Sequence, residues 1–214
     1  MRTLFLILLA SVGSCAHLTA PLSQQEVIAS KREAIVYIHT FCGQVNFYGT
    51  GFIIDNQTVA TVNHVVTDAD CKVPAISFVT AIKGNSSSQA KVFLGSSRKF
   101  TSHPSLDLSK IHFPAGTFNH YPKIAIPRDI TVKPGDSTIT FGYPGGFPFQ
   151  YISQGIVYHT EDEIYVSTFV KTGNSGGLVI RLPSGECAGI VVQAYLEPLS
   201  PVAYLIPCMK LWDF

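Results

Sequence analysis

The sequence predicts an all-β chain folded as two packed, roughly six-stranded antiparallel β-barrels with a cleft between them. Three observations lead there. About a dozen short runs rich in β-branched and aromatic residues follow one another, separated by Gly, Pro, Asn and Ser clusters at near-regular intervals. No apolar period of ~3.6 residues persists beyond two turns after the leader, except over Gln24 to Ala34. Residues 113 to 129, FPAGTFNHYPKIAIPRD, carry three prolines and no alternation, and so divide the runs into two groups. Closing each group into a barrel removes exposed sheet edges and gathers loops from both halves along one cleft.

The chain begins with Met1 and Arg2, followed by the apolar run Leu4 to Val12, the pattern of a signal peptide over residues 1–15. That run is about half of what a bilayer-spanning helix needs, and no later run approaches ~20 residues. Val12-Gly13-Ser14-Cys15 resembles a lipobox, which would make Cys15 a lipidated first residue; ordinary cleavage after Ala16 is the alternative. Either route predicts an exported chain, secreted, periplasmic or lipid-anchored, with a polar segment at 16–33 before the barrels.

The first group of strands is read in AIVYIHT, GTGFIID, TVATVNHVV, AISFVTAI, AKVFLG and LDLSKIHF, giving a barrel over about residues 34–115. The second is read in STITFGYP, YISQGIVYH, EIYVSTFV, GLVIRL, CAGIVVQAYL and VAYLIP, giving a barrel over about 128–210, so that 34–214 forms one domain. Net charge is +1 with 14% charged residues, against a typical ~25%. No basic field points to nucleic acid, and the only membrane contact expected is the N-terminal anchor. Of five cysteines, Cys15 belongs to the processing site. Cys42, Cys71, Cys187 and Cys208 remain, with no C-x-x-C pair of the zinc type; no metal or cofactor is expected. Asn56 and Asn85 head glycosylation sequons, relevant only to a eukaryotic secretory route.

KTGNSGGLVI, residues 171–180, sets Ser175 between glycines before a strand. A serine nucleophile needs a base within hydrogen-bond reach and an acceptor that fixes the base's tautomer. His64 closes TVATVNHVV just before a sharp polar change. His17 lies at the processed terminus, and His39, His103, His112, His120 and His159 have no accompanying pattern. The α/β-hydrolase elbow shares G-x-S-x-G but requires its histidine after the serine. No histidine follows Ser175.

GTGFIIDNQTVATVNHVV, residues 49–66, resembles the segment around the catalytic histidine in trypsin-like serine peptidases, particularly the HtrA-type branch. SLDLSKIHF resembles that family's aspartate strand, TITFGYPGGFP with SQGIV its second-barrel opening, and TGNSGGLVI with GECAGIVV its serine strand and partner. The resemblance runs over about residues 34–208. It implies a catalytic triad of His64, Asp107 and Ser175; by position alone, Asp68 and Asp70, within six residues of His64 in a turn-like cluster, are the competing acids. It also implies an oxyanion hole from the backbone N–H groups of Gly173 and Ser175.

Asn174 stands where digestive members carry an acid that pairs with a new N-terminus, so activity is expected without propeptide clipping. By alignment to the family, Phe169, Val170 and Thr172 approach one pocket wall and Val191, Val192, Gln193 and Ala194 the other, favouring an apolar P1 side chain. Phe169 either fills the pocket base or points into the barrel core, and Lys171 is either near the cleft or a solvated charge. Four cysteines allow three connectivities, and buried free thiols are the alternative. A Cys42–Cys71 bridge clamping the histidine loop, with Cys187–Cys208, is the preferred arrangement. The sequence stops at LWDF after the last strand, so a protease domain without the PDZ domain of HtrA-type proteins is expected. The expected function is a serine endopeptidase acting on protein or peptide substrates. A non-catalytic peptide- or protein-binding chain of the same fold is the other reading.

Overall fold

The computed structural model describes residues 23–67, 71, 75–83, 90–129, 132–146, 149–159, 164–197 and 200–214. The leader, Cys15, His17, Asp68, Asp70 and the Asn85 sequon lie outside them. Helix α1, Gln24–Arg32, starts at a capping box in which Ser23 accepts from the Glu26 amide and the Glu26 carboxylate accepts from the Ser23 amide. It is anchored through buried Val27.

The first half is one antiparallel sheet of β1 (Ile35–Cys42), β2 (Val45–Ile53), β3 (Thr58–Thr61), β4 (Ile76–Lys83), β5 (Ala90–Ser97), β6 (Lys99–Ser102) and β7 (Ser109–His112). Their spatial order is β5-β4-β1-β2-β3-β7-β6. The two edge strands, β5 and β6, are separated in the chain by Arg98 alone, so the sheet must curl until its edges meet there. The expected AKVFLG strand thus continues past a bend as a second, short strand, which makes seven where about six were read. The second half closes as a barrel of β8 (Ser137–Gly142), β9 (Tyr151–His159), β10 (Ile164–Ser167), β11 (Leu178–Arg181), β12 (Cys187–Glu197) and β13 (Ser200–Pro207), ordered β10-β13-β12-β11-β8-β9.

The halves join along β2. Its last five residues, Gly49 to Ile53, are all buried, which a strand with one wet face would not allow. One side of this stretch packs on Ile38 and Val59 in the first sheet, and the other meets the loop before β11: the Thr50 amide donates to the Ser175 carbonyl at 2.8 Å. The Thr50 hydroxyl donates to the Gly173 carbonyl at 2.7 Å and accepts from the Tyr143 amide at 2.9 Å. Gly176 lies in this seam with φ +82°, and a Cβ there would collide with the Thr50 carbonyl and the Thr61 hydroxyl.

The three-proline stretch is the connection between the halves, as read, but it is a packed strap. Phe118 and Ile124 are buried, and the amides of Phe113, Phe118 and Ile124 donate to the carbonyls of Gln57, Asn56 and Ile53.

Both preferred disulfides are present, Cys42–Cys71 and Cys187–Cys208. The second closes a span of 21 residues, which removes about 3 kcal/mol of loop entropy from the unfolded chain. Replacing Cys187 and Cys208 together by alanine is expected to lower Tm by about 10 °C. Thermal unfolding under matched oxidising conditions measures this, and an unchanged Tm would show that the bridge constrains nothing.

Candidate active site

His64 does not continue the strand that precedes it. β3 ends at Thr61, and Asn63–Val66 forms a one-turn helix, α2, whose Val65 and Val66 are buried. With the valines anchored in the core, the histidine is turned outward; its side chain is 47% exposed. The turn is tied down by Asn63, whose Oδ1 accepts from Ser102 at 2.6 Å and from Ser109 at 3.0 Å, linking it to β6 and β7.

Asp107 lies two residues before β7 and meets His64 twice. Its Oδ2 is 2.6 Å from the ring Nδ1, and its Oδ1 accepts from the His64 amide at 3.0 Å. Burial raises the Asp107 pKa, but the hydrogen bond and charge of the His64 ring, with the His64 and Asn63 amides, outweigh it and hold the carboxyl below its ordinary range. An ionised carboxylate only accepts, so Nδ1 must carry a proton, and in the neutral ring this leaves Nε2 its lone pair for a donor in the cleft.

A cleft of about 610 Å³ opens between the halves, and His64, Asp107 and Ser175 all border it. The structure therefore brings together the three residues singled out from the sequence. Val192 and Ala194, both partly buried, give the barrel-two wall its apolar surface, with Thr172 and Gln193 exposed beside them; Val170 and Val191 back that wall from within the barrel core. Phe169 departs from both expectations. Its ring is 38% exposed, rests against Tyr151 at 5.5 Å and carries Lys171 Nζ 5.1 Å from its centroid, so it neither fills the pocket base nor enters the core. Lys171 itself borders the cleft.

Two contributors were missed by sequence reading. The Asn174 amide donates to the Lys171 carbonyl at 2.9 Å, closing a four-residue turn, and Gly173, its third residue, has φ +97°. That is a type II arrangement, which needs glycine at this position. The Gly145 amide, from the loop after β8, donates to the Thr172 carbonyl at 2.5 Å. A carbonyl and the following N–H point opposite ways across one peptide plane, so pinning Thr172 to Gly145 aims the Gly173 N–H away from that loop. Thr50 holds the next carbonyl, as described above. Gly145 and Gly146 have positive φ (+66° and +68°), which the paired glycines of GYPGG permit, but nothing in that motif points to Thr172.

Asn174 is 1% exposed, and neither polar atom of its side chain finds a hydrogen-bond partner among the described residues. A neutral amide in that position costs less than an unpaired carboxylate would.

Residues 49–190 match the family described as the trypsin-like peptidase domain. No curated protein sequence matches the chain. Among solved structures, the serine endoprotease from Yersinia pestis superimposes with a TM-score of 0.69 at 21% identity, over 91% of this chain and 66% of that one. The active form of Rv3671c protease from M. tuberculosis gives 0.67 at 21% identity, over 87% and 81%. The HtrA-type protease AlgW with a tripeptide gives 0.67 at 21% identity, over 89% and 61%. The chain thus spans under two thirds of AlgW and 66% of the Yersinia pestis protein. With more than half its length matched, and with both halves and the cleft in place, the chain belongs to the trypsin-like peptidase domain family.

Proposed function

We propose that the chain is an exported serine endopeptidase working through His64, Asp107 and Ser175. The observation that carries this reading is the double hold of Asp107 on His64, which fixes the ring tautomer that in its neutral form keeps Nε2 free, at a cleft that Ser175 also borders. In the proposed reaction the Ser175 Oγ attacks the scissile carbonyl carbon while its proton passes to Nε2. The oxygen that becomes negative is met by the Gly173 and Ser175 N–H groups, each such donor contributing about 3 to 4 kcal/mol to the transition state. The tetrahedral intermediate then collapses, the C–N bond breaks, and His64 returns the proton to the departing amine. Water, activated by the same imidazole, hydrolyses the acyl-enzyme and restores Ser175. Asp107 stays ionised throughout and stabilises the imidazolium.

An apolar residue on the acyl side of the scissile bond fits the partly exposed Val192 and Ala194, backed by buried Val170 and Val191. Export is supported by the leader pattern and agrees with two disulfides, which persist in oxidising compartments. The test is labelling of protein made directly as residues 16–214 with a fluorophosphonate probe, the adduct located by peptide mass. One adduct on Ser175 that disappears in His64→Ala is expected, with no prior clipping. A correctly folded protein that takes no label would move the chain to the binding reading.

A further inference from the structure

We infer that a row of aromatic rings on the first sheet is a binding surface for the leaving-amine side of the substrate and selects for aromatic residues there. This rests on the peptidase reading above. The outward positions of β1 are Tyr37, His39 and Phe41, while the inward positions Val36, Ile38 and Thr40 are buried and supply the core. Register carries the outward face across three more strands: His39 lies opposite Tyr48 of β2 and Phe78 of β4, and Thr80, two residues beyond Phe78, opposite Phe93 of β5. The rings form a chain of contacts. Tyr37 and Tyr48 centroids are 6.2 Å apart, Tyr48 and His39 4.4 Å, His39 and Phe41 3.9 Å, Phe41 and Phe78 5.5 Å, and Phe78 and Phe93 6.2 Å.

A solvent-facing sheet surface ordinarily carries polar side chains. Here Phe41 is 38% exposed, Tyr48 44% and Phe93 61%, a contiguous apolar band whose burial the core does not require.

The occupant follows from where the band begins. Tyr48 immediately precedes Gly49, whose Cβ position is 3.0 Å from the Ser175 carbonyl. Gly146 faces both the Tyr37 hydroxyl and the Tyr48 ring, 3.6 and 3.7 Å from its Cβ position, and belongs to the loop that packs on Gly173. The band is therefore continuous with the oxyanion turn, on the barrel-one side of Ser175. The apolar wall of Val192 and Ala194 on the barrel-two side takes the residue whose carbonyl is attacked, so a bound polypeptide leaves across the rings on its amine side. From β2 to β5 are three inter-strand spacings, about 14 Å, the length of about four extended residues. Tyr48 is thus expected to act on the first two positions after the scissile bond and Phe93 on about the fifth. Rings already stacked on one another give up little freedom on binding a further ring or apolar side chain.

The experiment compares two quenched fluorescent peptides sharing one acyl side. One carries aromatic residues at the second to fifth positions after the scissile bond, and the other carries Gly and Ser there. Wild type is expected to cleave the aromatic peptide with about tenfold higher kcat/KM. Phe41→Ala with Phe93→Ala should erase the advantage of rings at the outer positions, and Tyr48→Ala that of rings at the inner ones. An activated ester with a small leaving group, and the rate of fluorophosphonate labelling, should not change in any of these variants. Equal cleavage of the two peptides by wild type, or an advantage that survives the substitutions, overturns the inference.

A binding arm separates this from the catalytic reading. Fluorescence anisotropy with Ser175→Ala needs no turnover, and tighter binding of the aromatic peptide that Phe41→Ala and Phe93→Ala abolish supports the surface even if Ser175 never labels. If neither peptide binds preferentially, and sedimentation shows a dimer dissolved by the same substitutions, the band is instead an interface between two copies of the chain and the inference fails.

Discussion

Replacing Ser175 by alanine is expected to lower kcat about 10⁶-fold while leaving the fold intact. The structural half of that expectation comes from how Ser175 is held. Its backbone carbonyl accepts from the Thr50 amide at 2.8 Å, and the flanking Gly176 and Gly177 amides donate to Val191 and Asn174. All are main-chain bonds that survive loss of the side chain. The chemical half comes from the step itself, because without Oγ there is no covalent intermediate and His64 has no proton to take. In the proposed mechanism the pocket and the two N–H donors remain and act on the carbonyl whichever nucleophile attacks; a residual acceleration of about 10³ to 10⁴ over water is expected from them. For the same reason His64→Ala, and the double variant, should fall to about the same floor as Ser175→Ala. Steady-state rates on an apolar-P1 peptide, with near-ultraviolet circular dichroism as the folding control, measure this. Turnover within tenfold of wild type would remove Ser175 from the mechanism.

The strands were legible because each obeys a short local rule. Alternation in AIVYIHT and the uncharged, β-branched TVAT run describe a one-face-buried and a two-face-buried strand, and the structure has both. The seam between the halves was not legible in the same way. Thr50 and Gly173 are 123 residues apart, and nothing about a threonine between two glycines says that its hydroxyl holds a turn of the other half. α2 was read as strand because Asn63-His64-Val65-Val66 is too short to show a helical period and its β-branched valines favour strands. Packing decided otherwise, since only a turn buries both valines while turning His64 outward. Phe169 failed for a related reason: its position was carried over by likeness, but a ring's direction depends on neighbours such as Tyr151 that no single motif contains. The candidate site residues were found from motifs and chain order, and their relative placement came only with the coordinates.

Asp107→Asn is expected to lower turnover about 10⁴-fold with His64 still in position. The argument turns on which way the new amide must face. The Asp107 carboxylate accepts at both oxygens, from the His64 main-chain N–H and from ring Nδ1. An asparagine has one acceptor and one donating end. The main-chain N–H cannot change its chemistry, so the amide oxygen is claimed there and the NH₂ group faces Nδ1. Nδ1 must then become an acceptor, its proton moves to Nε2, and the nitrogen that should take the Ser175 proton already holds one. Rotating the amide restores Nδ1–H but sets an NH₂ against the main-chain donor, straining the turn that carries His64.

The same pair gives the pH dependence of stability its sign. The Asp107 pKa is depressed in the folded state, so its contribution is present above the unfolded carboxyl value and is lost as pH falls through the lower folded value. Wild type is expected to exceed Asp107→Asn in stability at neutral pH, with the difference shrinking as acid protonates Asp107. Denaturant unfolding of both proteins from pH 7 downward measures this. A gap that stays constant into acid, or near-normal turnover of the variant, would take Asp107 out of the role the geometry gives it.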